Sequence, residues 1–150
     1  MRCAKAKCYM KEPLDLSYGL INKAIHDLQA AEIGIDNDAP MDTVAFHLQQ
    51  CAEKLIKAFL NWKQVQYPKT HALGALLDLA VAHEPDLEAF RERLLAMGSY
   101  AVEMRYDDEV YPTEEEIAAG LQVARELKTK ILSMLPSQNE GPSDSSSFAK

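Results

Sequence analysis

Between Val44 and Trp62, apolar residues recur on two sides of one helical stretch. At about 100° per residue, Val44, Leu48, Cys51, Leu55, Phe59 and Trp62 share one face, and Phe46, Ile56 and Leu60 share the opposite one. A helix that is apolar on two sides is packed on both. The stretch from about Met41 to Lys63 therefore predicts a central helix. Its second face meets another helix of the chain or a second copy of it. Between the two faces runs a narrow polar stripe of His47, Gln50, Lys54, Lys57 and Asn61.

The same periodicity organises the rest. From Leu14, the residues Ile21, Ala24 with Ile25, Leu28, Ala31 and Ile35 recur at three- and four-residue steps, and Asp36-Asn37-Asp38-Ala39-Pro40 ends that first helix. After the link Tyr67-Pro68-Lys69-Thr70, Thr70 is the expected N-cap of a short helix carrying Leu73, Leu76, Leu77 and Ala80. His83-Glu84-Pro85 closes it, and Asp86 is the expected cap of a fourth helix with Leu87, Phe90, Leu94, Met97, Ala101 and Met104 on one side. Gly98 lies on that face, where a missing side chain suits close helix approach. Thr113 and Glu116 are spaced as a capping box, opening a fifth helix with Ile117, Leu121, Ala124, Leu127, Ile131 and Leu135 in a stripe. No strand-like alternation and no repeat is present. The expectation is an all-α, up-and-down bundle of four main helices plus one short helix, spanning 14–135. A basic, poorly ordered lead-in (1–13) precedes it, and a disordered Ser-, Gly- and Pro-rich tail (136–150) follows.

Charge and cysteines narrow the function classes. The 150-residue chain has a net charge of −7. Residues 12–136 hold 21 acidic and 11 basic residues, a net of −10, which argues against a general DNA or RNA coat. Lys54, Lys57, Lys63 and Lys69 remain candidates for a local basic spot. Cys3, Cys8 and Cys51 form an odd set without zinc-type spacing, which fits a reducing, cytoplasmic setting. No apolar run has the length of a signal core or a membrane span.

Few residues suggest chemistry. His47 and Cys51 form an i, i+4 pair, but two ligands do not make a metal site, so no metal and no cofactor are expected. His26 and Asp27 are adjacent and do not face each other on a helix. His71 and His83 flank the short helix without forming a constellation. For Lys54 and Lys57 the alternatives are a solvated edge and a phosphate contact. Arg105 falls at the centre of the fourth helix's apolar face, beside Asp107, Asp108 and Glu109. A guanidinium there either caps the helix and pairs with those acids, or faces a phosphate at a cleft. No Gly-rich phosphate loop or nucleophile elbow is present.

The run Phe46-His47-Leu48-Gln49-Gln50-Cys51-Ala52-Glu53-Lys54-Leu55-Ile56-Lys57-Ala58, with Lys69-Thr70-His71-Ala72-Leu73, Arg105-Tyr106 and Pro112-Thr113, resembles the signature of the HEPN domain across about 14–135. The resemblance implies a homodimeric helical bundle, often encoded beside a minimal nucleotidyltransferase and in several pairs acting as toxin and antitoxin. Many HEPN proteins are metal-independent endoribonucleases whose site joins an Arg to a His four to six residues on, across the dimer. Here Arg105 matches the arginine, but Tyr111 stands at the latest histidine position and no His follows Arg105. Tyrosine titrates too high to replace an imidazole well in general acid–base cleavage. The leading expectation is a non-catalytic HEPN protein that binds a nucleotide-like ligand or a nucleotidyltransferase partner through Arg105, His47, Gln50, Lys54 and Lys57. The alternatives are an endoribonuclease toxin using Arg105 and Tyr111, and a helical interaction module without a ligand.

Overall fold

The short link 37–40 folds the first long helix back on the second, and the remaining helices close around that pair. A computed structural model of the chain describes residues 11–103 and 107–138, with the backbone alone for 100–103. Expectations for the lead-in up to residue 10, for Met104, Arg105 and Tyr106, and for the tail beyond 138 lie outside the described residues. The elements are α1 (Pro13–Asp36), α2 (Met41–Trp62), α3 (Leu73–Val81), α4 (Arg91–Glu103) and α5 (Glu114–Met134), with a 3-10 turn Pro85–Phe90 leading into α4. The fold is all-α, four main helices with α3 as the short one, and no strand occurs among the described residues.

Local chemistry sets most boundaries. Pro13 opens α1, where a missing N–H is no loss. α1 ends as Asp38 takes a left-handed φ of 53° and the Ala39 N–H donates to the Gly34 carbonyl at 2.8 Å. At α5 the capping box is present: Thr113 Oγ1 accepts from the Glu116 N–H at 3.2 Å, and Glu116 Oε2 accepts from the Thr113 N–H at 2.8 Å.

Two caps differ from expectation. Ala72, not Thr70, stands at the N-cap of α3, and Thr70 Oγ1 accepts from the Ala72 N–H at 3.1 Å in the turn before it. Asp86 caps nothing, because Pro85 starts a 3-10 turn there and α4 begins only at Arg91. The Asp86 carboxylate instead takes Lys130 Nζ of α5 at 3.2 Å.

α2 packs against each of the other four helices. Leu48, Leu55 and Phe59 on its first face are buried, and each such side chain contributes about 1.5–3 kcal/mol. Ile56 and Leu60 on the second face are 0% exposed within the single chain. Helices of the same chain therefore cover that face, and these two residues no longer argue for a second copy. Phe46 alone of the three is exposed.

Gly98 also differs from expectation. A Cβ there would lie 3.7 Å from Leu73 Cδ1, an ordinary contact, so close approach does not require the glycine. At Gly34 a Cβ would meet Val44 Cγ2 at 3.0 Å and Ala39 Cβ at 3.3 Å, where α1 turns into α2. Gly98→Ala should therefore stabilise the fold by roughly 0.5–1 kcal/mol through helix propensity. Gly34→Ala should destabilise it by about 1 kcal/mol or more through crowding. Paired thermal melts check both signs.

Candidate functional site

Gln49, Glu53, Ile56 and Leu60 fall on one side of α2, so the second face is half polar and half apolar, and all four are buried. Glu53 is 4% exposed. A carboxylate removed from water must be paired and hydrogen-bonded. Lys57 Nζ, one turn on, donates to Glu53 Oε1 at 2.7 Å. His71 Nδ1, from the link between α2 and α3, lies 3.1 Å from the same oxygen. Gln49 Nε2 donates to Glu53 Oε2 at 3.2 Å and to the His71 carbonyl at 3.3 Å. Gln50 Nε2 in turn donates to Gln49 Oε1 at 2.8 Å.

Burial pushes the Glu53 carboxyl up, but the hydrogen bonds from Lys57, His71 and Gln49 and the Lys57 charge outweigh it and hold it below the usual range. An ionised Glu53 only accepts, so His71 Nδ1 carries the proton of that bond. The His71 side chain is 76% exposed although its carboxylate partner is buried. Lys57 also sits 5.7 Å from the centre of the Tyr67 ring, a second tie from α2 to the same link.

A second cluster lies toward α1. Asp27, 13% exposed at its side chain, accepts from Lys54 Nζ and lies 3.0 Å from His47 Nδ1. Cys51 is buried, and burial and then the Asp27 charge push its thiol up to about 12.

The expected stripe of His47, Gln50, Lys54 and Lys57 thus exists, half-buried, and its cations are already matched by carboxylates. Asp27, assigned no partner from sequence, anchors half of it. His26 and His83 are exposed. Tyr111 is exposed between α4 and α5, and Arg105 lies outside the described residues. Gln49, Glu53 and His71 were missed as a site. One signal for them was a polar pair at i, i+4 in phase with Ile56 and Leu60. Among the described residues, no three His, Cys, Asp or Glu side chains gather as a metal would need, and no helix is long and apolar enough to cross a membrane.

His71 also borders a groove of about 560 Å³ between α3 and α4, walled by Ala72, Gly74, Ala75, Leu95 and Gly98. The family model described as HEPN domain matches residues 18–134. The chain belongs to the HEPN domain family. No match to a curated protein or to a solved structure was found. In this HEPN chain the polar face of α2 does its binding inward, to its own link and to α1.

Glu53→Ala strands Lys57 half-buried and frees the link at His71, and should cost about 2–4 kcal/mol in denaturant unfolding. Because the folded carboxyl is depressed, its contribution is full above the ordinary value near 4.5 and is lost as pH falls through the folded value. Glu53→Gln should therefore flatten the acid limb of the stability curve. Cys51 should resist alkylation in the native protein and react only on unfolding, as read by peptide mass spectrometry.

Proposed function

We propose that this HEPN-domain protein acts by binding a nucleotide-like ligand and not by the Arg–His cleavage of RNA. One observation carries the proposal: the four histidines, at 26, 47, 71 and 83, all precede Arg105, so the motif's imidazole has no counterpart. Without it the usual proton carrier at the ribose 2′-OH is missing. The groove beside His71 falls in the roughly 300–1,000 Å³ range of small-molecule sites, which supports a ligand-binding role. A homodimer, a minimal nucleotidyltransferase partner and toxin–antitoxin pairing come with the proposal from the family resemblance, and a cytoplasmic setting from the odd set of cysteines.

An endoribonuclease without the motif histidine is the second reading, and the exposed imidazole that Glu53 holds at the groove favours it. The two separate cleanly. Purified protein, metal-free, should leave a labelled single-stranded RNA intact while retaining nucleotide recovered from native extract. Arg105→Ala should lose that nucleotide with little change in melting temperature, and Arg105→Lys should restore little, since an ammonium lacks the bidentate fork. RNA cleavage that persists in chelator and is lost in His71→Ala would favour the ribonuclease instead. Light scattering at tens of micromolar should give twice the 16.8 kDa chain mass.

A further inference from the structure

We infer that the pocket where α2, α4 and α5 meet is a site for a free aliphatic α-amino acid. The side chain of the ligand enters the pocket, and Arg93 and Glu116 hold its zwitterionic head at the mouth. The inference is independent of the nucleotide-binding proposal and concerns a different face of the bundle.

The pocket encloses about 100 Å³. Its closed end is apolar: Leu48 of α2, Met97 of α4 and Ile117 of α5 are all buried. Gly120 lets α5 lie against Leu48 there, since a Cβ at that position would stand 3.2 Å from Leu48 Cδ1. The open end is marked by two exposed residues with little side chain, Ala96 of α4 and Ala119 of α5. A space walled in this way stays dry and gains from an apolar occupant. An apolar cavity of roughly 150 Å³ holds a benzene ring, so this one admits an aliphatic side chain and is small for an aromatic one.

The charges on the lining select the head group. Arg93 and Glu116 both line the pocket, on facing helices, and they do not pair with each other. Arg93 donates from Nη1 to Glu126 at 2.6 Å, and Glu116 Oε2 accepts from the Thr113 N–H at 2.8 Å. Among the described residues, the other N–H groups of Arg93 and Glu116 Oε1 are left without partners. A guanidinium takes a carboxylate as a fork, and a carboxylate takes an ammonium. A purely anionic ligand would be opposed by Glu116, and a purely cationic one by Arg93. A zwitterion satisfies both. An α-amino acid carries the two charges and an apolar side chain on one carbon, which matches a dry pocket with one charge of each sign on its lining.

Titration calorimetry on the full chain tests this, with L-valine, L-leucine, L-isoleucine and L-methionine as probes. At least one of the four should bind, and glycine, which has nothing to fill the pocket, should not. The N-acetyl and methyl ester forms of the bound amino acid each lose one charge and should bind at least about tenfold more weakly. Arg93→Met and Glu116→Gln should weaken the parent ligand to a similar degree, and glutamine at 116 still serves the capping box. Ala119→Leu, at an exposed position on the lip, should block binding while the melt is unchanged. The modified ligands keep the test valid if a variant does not fold. If none of the four binds, the site is overturned and the nucleotide proposal is untouched. Binding that persists unchanged in Ala119→Leu and in both charge variants would overturn the location. Equal affinity for the free amino acid and its two modified forms would overturn the zwitterion assignment.

Discussion

The ionised carboxylate of Glu53, set in the middle of the helix that every other helix touches, constrains more of this structure than any other single group. Leaving it unpaired is prohibitive at that depth. One partner, Lys57, comes from the same helix and costs the chain little ordering. The others cannot come from α2. The chain has to return after Trp62 so that His71 lies against the carboxylate and its carbonyl against Gln49. The link 63–72 is therefore anchored at its far end by charge-assisted hydrogen bonds, and α3 starts two residues later from a fixed point.

That anchoring also explains why α2 has two occupied faces within one chain. Ile56 and Leu60 continue the Gln49–Glu53 side of the helix, and they are covered completely. That face is thus closed by polar pairing at one end and by apolar burial at the other. The first face, through Leu48, Leu55 and Phe59, completes the core. Around this centre, pairs such as Arg125 with Glu32 and Lys130 with Asp86 join helices at the surface, where each is worth at most about 1 kcal/mol. They tune the periphery and do not decide the fold.

Periodicity made the helices legible. Ile21 to Ile35 and Ile117 to Leu135 each predict one helix, and each is one, because a buried stripe repeats at the helical period whatever it packs against. The capping box at Thr113 was legible for the same reason: both of its bonds close within four residues. Thr70 and Asp86 were misassigned as caps because a cap depends on the backbone path just before it, and Pro85 diverts that path into a 3-10 turn. The site was harder. Asp27 pairs with His47 across twenty residues, and Glu53 with His71 across eighteen, so no local spacing announces either. Glu53 was passed over because a glutamate in a helix is ordinarily solvated. Only the fold shows that this one faces inward.

The two carboxylates also bear on what the lysine stripe of α2 is free to contact. Lys54 and Lys57 would be natural phosphate contacts if their charges were unmatched, but Asp27 and Glu53 already hold them. A phosphate arriving there would have to displace a half-buried ion pair and leave a carboxylate behind, and that exchange gains little. The α3–α4 groove, by contrast, is walled by small and apolar residues with His71 and Ser99 beside them. Lys57 turned inward and His71 held against α2 are two results of the same buried acid, as the inward Lys54 is of Asp27.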